Sequence, residues 1–248
     1  MPSQSASPVI DIEAFKSICE GCSIRELCLP CGMDRDDLER LDRIIERKAP
    51  LAAGDLAYAE GDPFRALFAV RSGVVKTYLL EREGEEHITG FHFPGELVGL
   101  DAIASGTHTC SARALDTTSL CEIPFGRLNE LAGRIDSLRE QLFRFMSREI
   151  HQDEQERRNR SRADADPRLA AFLLDVSERF SRLGFAPLDF GLKISNQDLA
   201  SYLGVAPETI SRLFRRFRDQ GLATVKSKRV QIHDPERLRA LACTQAGG

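Results

Sequence analysis

No stretch of this sequence approaches the roughly 18 consecutive apolar residues that a membrane-spanning helix needs. The first residues, MPSQSASPVIDIEAFKS, lack a basic start followed by an apolar run, so no secretory leader is expected. Signatures of catalysis are missing too: there is no GxGxxG after a strand, no Walker sequence and no HExxH. The five histidines (87, 92, 108, 151, 233) are scattered without metal-ligand spacing. An excess of positive charge is also lacking, since the net charge is −4. These absences predict a cytoplasmic protein that is not an enzyme and has no membrane partner.

The charge average conceals an asymmetry. Residues 208–230 carry seven basic side chains (212, 215, 216, 218, 226, 228, 229) against only Glu208 and Asp219. A basic cluster on an acidic chain reads as a local DNA-facing surface.

The chain should fold as several units. Residues 1–33 form a cysteine-rich leader. Residues 34–48 place apolar side chains at 38, 41, 44 and 45 with acidic residues first and basic residues last, which predicts a helix. From about 50 to 125, short apolar runs alternate with Gly54, Gly61, Gly73, Gly84, Gly95 and Gly106, the texture of a small antiparallel barrel or jelly roll. A long charged helix follows, with a narrow stripe of Ile135, Leu138, Leu142, Met146 and Ile150. Such a stripe predicts a homodimer seam, and it ends at Asp153 and Arg157. Residues 161–168 read as a hinge, residues 170–184 as another amphipathic helix, and 243–248 as a disordered tail.

Residues 195–222 carry a helix-turn-helix pattern. Ser195 can cap a helix, with Asp198 three residues on. Gly204 sits where a tight turn needs positive φ, and Pro207 suits the first turn of a second helix. Ile210, Leu213, Phe214 and Phe217 point inward, leaving Glu208, Ser211, Arg212, Arg215 and Arg216 outside. Residues near the start of a reading helix reach base edges: Arg offers a fork to guanine and Glu accepts from cytosine. Glu208, Ser211 and Arg212 are therefore the base-contact candidates. Arg215, Arg216 and Arg218, with Lys226, Lys228 and Arg229 of a following hairpin, are the phosphate-contact candidates.

Seven cysteines, an odd number, stand at 19, 22, 28, 31, 110, 121 and 243. In a reducing compartment, tight spacing suggests metal ligands more than a disulfide frame. Cys19, Cys22 and Cys28 place three soft donors within ten residues, suited to zinc or an iron–sulfur cluster. A fourth donor must come from Cys31, Cys110, Cys121 or Cys243. Taken alone, a cysteine in an apolar strand such as SLCEIPF is most often a small core residue.

With these residues assembled, the chain resembles the FNR/Anr branch of the CRP/FNR family of bacterial regulators. The resemblance runs from about Cys19 to His233. It is strongest in CEGCSIRELC, RSGVVKTY, ITGFHFPGELVGLDAI, CEIPF and ETISRLFRRF. It implies an α+β chain: a cluster-binding segment (1–33), a cyclic-nucleotide-binding-like β-roll (34–132), a dimerisation helix (133–162) and a winged helix-turn-helix (163–248). It implies a [4Fe–4S] cluster on Cys19, Cys22 and Cys28 with Cys121 as fourth ligand. Glu208, Ser211 and Arg212 match the family's E-x-x-S-R set, which implies palindromic promoter sites with TTGAT-like half-sites. The resemblance further implies a homodimer when the cluster is bound, with Ile150, Asp153 and Arg157 at a dimer switch. It also implies contact with RNA polymerase through loop 81–86 and a surface near Arg182 and Phe185. Cys31 is an extra thiol, and Cys110 a rival fourth ligand.

Three other readings compete. A cyclic-nucleotide-dependent regulator normally needs an Arg-Ser pair for the cyclic phosphate, but His108-Thr109-Cys110 stands in that stretch, so no cyclic nucleotide is expected. An iron–sulfur electron carrier would need a substrate or cofactor motif. The last reading is a four-cysteine structural zinc site.

Overall fold

The computed structural model describes residues 19–81, 84–160 and 164–243. Among the described residues, the leader forms a 3-10 turn, Arg25–Leu27, and lies on the roll at Gly95. That glycine has φ +93, and a Cβ on it would come within 3.0 Å of Leu27 Cβ, so a side chain there would lift the leader.

Helix α1, Arg35–Ile44, starts where Asp34 accepts a hydrogen bond from the Asp37 amide. It buries Leu38 and Leu41. The helix expected over 34–48 ends early. Glu46 and Arg47 form strand β1 and pair with Glu122 and Cys121, and sheet pairing overrides the helical pattern.

Strands β2 (Leu56–Tyr58), β3 (Ala66–Ser72), β4 (Val75–Leu80), β5 (Glu86–His92), β6 (Leu97–Val98), β7 (Ser111–Ala114) and β8 (Ser119–Pro124) complete two four-stranded antiparallel sheets. Their orders are β1-β8-β3-β6 and β2-β7-β4-β5. The roll interior includes Tyr58, Val70, Val75, Val98, Cys110 and Ala112.

After α2, Phe125–Ala132, comes the long helix α3, Asp136–Arg160. Its apolar stripe departs from a pure intersubunit seam. Ile135, Leu138 and Leu142 are buried in their own chain's core with Leu29 and Met33 of the leader, because leader and roll cover that side. Met146 is half-buried, while Phe143 and Ile150 remain 61% exposed.

Helix α4, Ala165–Arg182, takes in the last four residues of the expected hinge; residues 161–163 lie outside the described residues. Then follow β9 (Asp189–Gly191), α5 (Asn196–Leu203), α6 (Pro207–Asp219), β10 (Ala223–Lys226), β11 (Arg229–Ile232) and α7 (Pro235–Cys243). Helix α7 had no counterpart in the sequence reading. Of the expected tail, Cys243 ends this helix and 244–248 lie outside the described residues.

The C-terminal half is not a separate bead. One apolar core runs from Tyr78, Ile88, Phe91 and Phe93 of the roll into Leu169, Phe172, Leu199 and Leu213 of the C-terminal helices. Polar contacts rivet the same junction. Lys76 donates to Glu86 and Asp198, Ser201 donates to the Glu86 carbonyl, and buried Arg179 donates to the Phe91 carbonyl and to Glu96.

Candidate metal centre and nucleic-acid interface

Strand β8 is the inner neighbour of β1 and β3, and it holds Cys121 opposite Arg47 on one side and Ala69 on the other. The leader turns over this point through short backbone bonds: the Cys22 amide donates to the Cys19 carbonyl, and the Cys28 amide to the Ile24 carbonyl. As a result Cys19, Cys22, Cys28 and Cys121 line one small cavity, together with Arg25, Ala69 and Arg71. Cys31, Cys110 and Cys243 are not on it. Cys110 lies instead in the roll interior, where Tyr58 stacks on His108 with ring centroids 3.6 Å apart. His108 belongs to the stretch His108-Thr109-Cys110, whereas Tyr58 comes from β2.

Burial dominates the electrostatics of the cavity. It pushes the Cys19 thiol well above its ordinary range, with Asp42 adding to the effect, and it pushes Cys28 up to about 12. Burial also raises Cys121, opposed by the charges of Arg47 and Arg71. Such thiols stay protonated and inert without a cation to stabilise the thiolates. Among the described residues, no three Cys, His, Asp or Glu side chains converge as one metal ion would require. The four cysteines instead line one shared hollow. A cubic iron–sulfur cluster takes a thiolate at each of its irons, so this donor set suits it.

The leader is tied to the long helix as well as to the roll. Gln141 of α3, only 6% exposed, donates to the Cys31 carbonyl at 3.1 Å. On the outer side of α3, Ile150, Asp153 and Arg157 are all exposed. Arg157 Nε donates to the Asp153 backbone carbonyl at 3.3 Å, an ordinary contact one turn apart.

Helices α5 and α6 form the helix-turn-helix. Ser195 caps α5 by accepting from the Asp198 amide, Gly204 takes the left-handed turn at φ +64, and Pro207 opens α6. Ile210, Leu213 and Phe217 are buried and Phe214 is half-buried. Glu208, Ser211, Arg212 and Arg215 are exposed on the other face. Ser211 Oγ accepts from Asn196, and Arg212 donates to Thr209 Oγ1 at 3.1 Å.

The basic face is thinner than its composition suggested. Arg216 donates both its contacts to Asp166 of α4, Arg218 pairs with Asp219, and Arg229 pairs with Asp189. Arg216, a phosphate-contact candidate, pairs in this structure with Asp166 at the start of α4. Lys226 and Lys228 are exposed at the tip of the β10–β11 hairpin. There Ser227 and Lys228 have φ of 50° and 63°, the left-handed geometry of a two-residue hairpin turn. Of loop 81–86, residues 82 and 83 lie outside the described residues, while Phe185 is 60% exposed.

Residues 167–241 match the Crp-like helix-turn-helix domain family, and residues 48–134 match the cyclic nucleotide-binding domain family. The chain is 47% identical over 230 residues to the transcriptional activator protein anr of Pseudomonas aeruginosa, covering 93% of this chain and 94% of that one. It is 44% identical over 224 residues to the fumarate and nitrate reduction regulatory protein of Escherichia coli, covering 90% of each. The solved structure of FixK2 from Bradyrhizobium japonicum superposes with a TM-score of 0.73 at 26% identity, over 82% of this chain and all of that one. The chain belongs to the CRP/FNR family of transcription regulators, as an Anr/FNR-type member.

Proposed function

We propose that this regulator responds to oxygen through a [4Fe–4S] cluster held by Cys19, Cys22, Cys28 and Cys121. The observation that carries the reading is the single cavity lined by those four thiols and by no other cysteine. When bound, the group supplies an iron–sulfur centre that oxygen degrades. The chain's own residues do the rest. The leader thiols and the Cys121 thiol clamp segment 1–33 to the roll (34–132), and Gln141 relays that fixed position to the dimerisation helix (133–162).

Ile150 and Phe143 then offer an apolar strip for a second α3, with Asp153 and Arg157 alongside. Two Asp153 carboxylates brought near 4 Å repel by roughly 1–4 kcal/mol, depending on the effective dielectric. A marginal dimer is held apart by that repulsion until the clamped leader offsets it. Pairing places two winged helix-turn-helix units (163–248) on one palindrome, and the second contact becomes effectively intramolecular. Glu208, Ser211 and Arg212 read TTGAT-type half-sites, while Arg215, Lys226 and Lys228 bind phosphates. The DNA-bound cytoplasmic dimer meets RNA polymerase through loop 81–86 and the surface around Arg182 and Phe185, activating or repressing genes of anaerobic metabolism.

The test is an absorption spectrum with iron and sulfide analysis of anaerobically purified protein, before and after air, paired with a DNA mobility shift. Brown protein whose shift is lost with its colour supports the reading. Colourless, iron-free protein that binds its operator equally well in air and without it ends the reading.

A further inference from the structure

A buried N–H donor left without an acceptor costs about 1–3 kcal/mol, so each such group calls for an explanation. Two of them lie beside the cysteine cavity. The Nε atoms of Arg25 and Arg47 are buried and have no hydrogen-bond partner. Neither guanidinium is adrift. Arg25 Nη2 donates to the Met33 carbonyl at 3.2 Å, and Arg47 Nη2 donates to Asp42 Oδ1 at 2.6 Å. A planar guanidinium pinned at one corner presents its remaining N–H in a fixed direction.

The surroundings identify the missing acceptor. Arg25 lines the cavity between Cys22 and Cys28 in sequence. Arg47 is the residue opposite Cys121 in the β1–β8 pair, so the two side chains leave the sheet on the same face. Its partner Asp42, itself 9% exposed, also accepts from the Cys19 amide at 3.4 Å. Through Asp42, Arg47 therefore links the Cys19 backbone to the strand pair that carries Cys121. Glu26 Oε1 lies 3.8 Å from Arg25 Nε, beyond hydrogen-bond reach, and a cluster held by four thiolates is rich in the sulfur acceptors that the two Nε–H groups lack.

We infer that Arg25 and Arg47 donate N–H hydrogen bonds to the sulfurs of the iron–sulfur group in this cavity, and so set its potential and its persistence in oxygen. The inference rests on the cofactor reading above. Hydrogen bonds to sulfur and nearby positive charge favour the more reduced state of a cluster, so their removal makes it easier to oxidise. Arg71 also borders the cavity but is exposed, and it serves as the comparison.

The experiment uses the full chain reconstituted anaerobically with iron and sulfide, as parent, Arg25→Met, Arg25→Lys and Arg71→Met. Iron and sulfide content, midpoint potential and the rate of bleaching at fixed dissolved oxygen are measured for each. Arg25→Met should load as the parent does, show a more negative midpoint and bleach about tenfold faster, the scale of outer-shell partners at metal sites. Arg25→Lys keeps the charge but not the planar N–H and should fall between them; Arg71→Met should stay near the parent. A loaded Arg25→Met with the parent's midpoint and bleaching rate overturns the inference and leaves the cofactor reading standing. An Arg25→Met chain that does not load yet melts, metal-free, at the parent's temperature supports a donor needed for assembly. If it neither loads nor melts normally, Arg25→Lys decides by the same two readouts. A parent that takes up no iron overturns the cofactor reading itself.

Discussion

Lys76 of β4 meets Asp198 of α5 at 2.6 Å, joining the β-roll to the helix-turn-helix with a lysine only 6% exposed. The same ammonium reaches Glu86 at 2.5 Å, and Glu86 is held in turn by Arg113. Removing one partner of a buried ion pair strands the other in low dielectric, at a cost of about 3–5 kcal/mol. Lys76→Met should therefore destabilise the chain on that scale. Chemical denaturation should turn from one transition into two as the halves uncouple.

His92 is fully buried beside Thr77, and burial, helped by the charge of Arg179, lowers its pKa to about 4. The exposed imidazole titrates near 6.5. Between those values the unfolded chain binds a proton that the folded chain refuses. Stability is therefore lost as pH falls from about 6.5 to about 4, by about 3 kcal/mol in all. Denaturation midpoints measured across that window should flatten in His92→Gln.

Much of the helix-turn-helix was legible because its signals are local. Ser195, Gly204 and Pro207 fix cap, turn and helix start within 13 residues, and the structure uses each as expected. The roll was legible from short apolar runs and glycines for the same reason. What escaped is set by distant partners. Glu46 and Arg47 leave the helical pattern because β8 pairs with them through Glu122 and Cys121, far along the chain. Arg216 looks free in sequence but meets Asp166, 50 residues earlier. The α3 stripe has helical periodicity whichever surface covers it, so sequence could not apportion Leu138 to its own core and Ile150 to the outside. The cysteine cavity was only half legible: spacing marks the three leader thiols, while nothing local separates Cys121 from Cys110.

Arg212 and Lys226 separate reading from holding. Arg212→Ala should cost about 1–3 kcal/mol on the preferred operator and relax the choice at one base pair. Lys226→Ala should weaken all sequences alike. Its log–log salt slope should shrink by about 0.9 if one phosphate contact is lost. Mobility shifts on a set of single-base operator variants at several salt concentrations distinguish the two.

The hairpin tip sets stability against affinity. Lys228 has φ +63, a conformation that costs a side chain about 1–2 kcal/mol. Lys228→Gly should raise the melting temperature by a few degrees, as about 1 kcal/mol does in a chain of this size. It should at the same time reduce the salt dependence of DNA binding.

Asp153→Ala should dimerise more readily in air than the parent, as read by sedimentation velocity. A variant that sediments in air as an unmodified monomer removes the carboxylate from the switch.

Cys121 is set within a hydrogen-bonded strand that has neighbours on both sides, whereas its three companions ride on a segment whose regular structure, among the described residues, is a three-residue turn. The grip is thus one fixed jaw and one loose one. Under the proposed function, gain or loss of the group these cysteines would hold is expressed as travel of the leader over that fixed strand. The nearest large element to feel that travel is α3, through the glutamine that reaches down to the loose jaw.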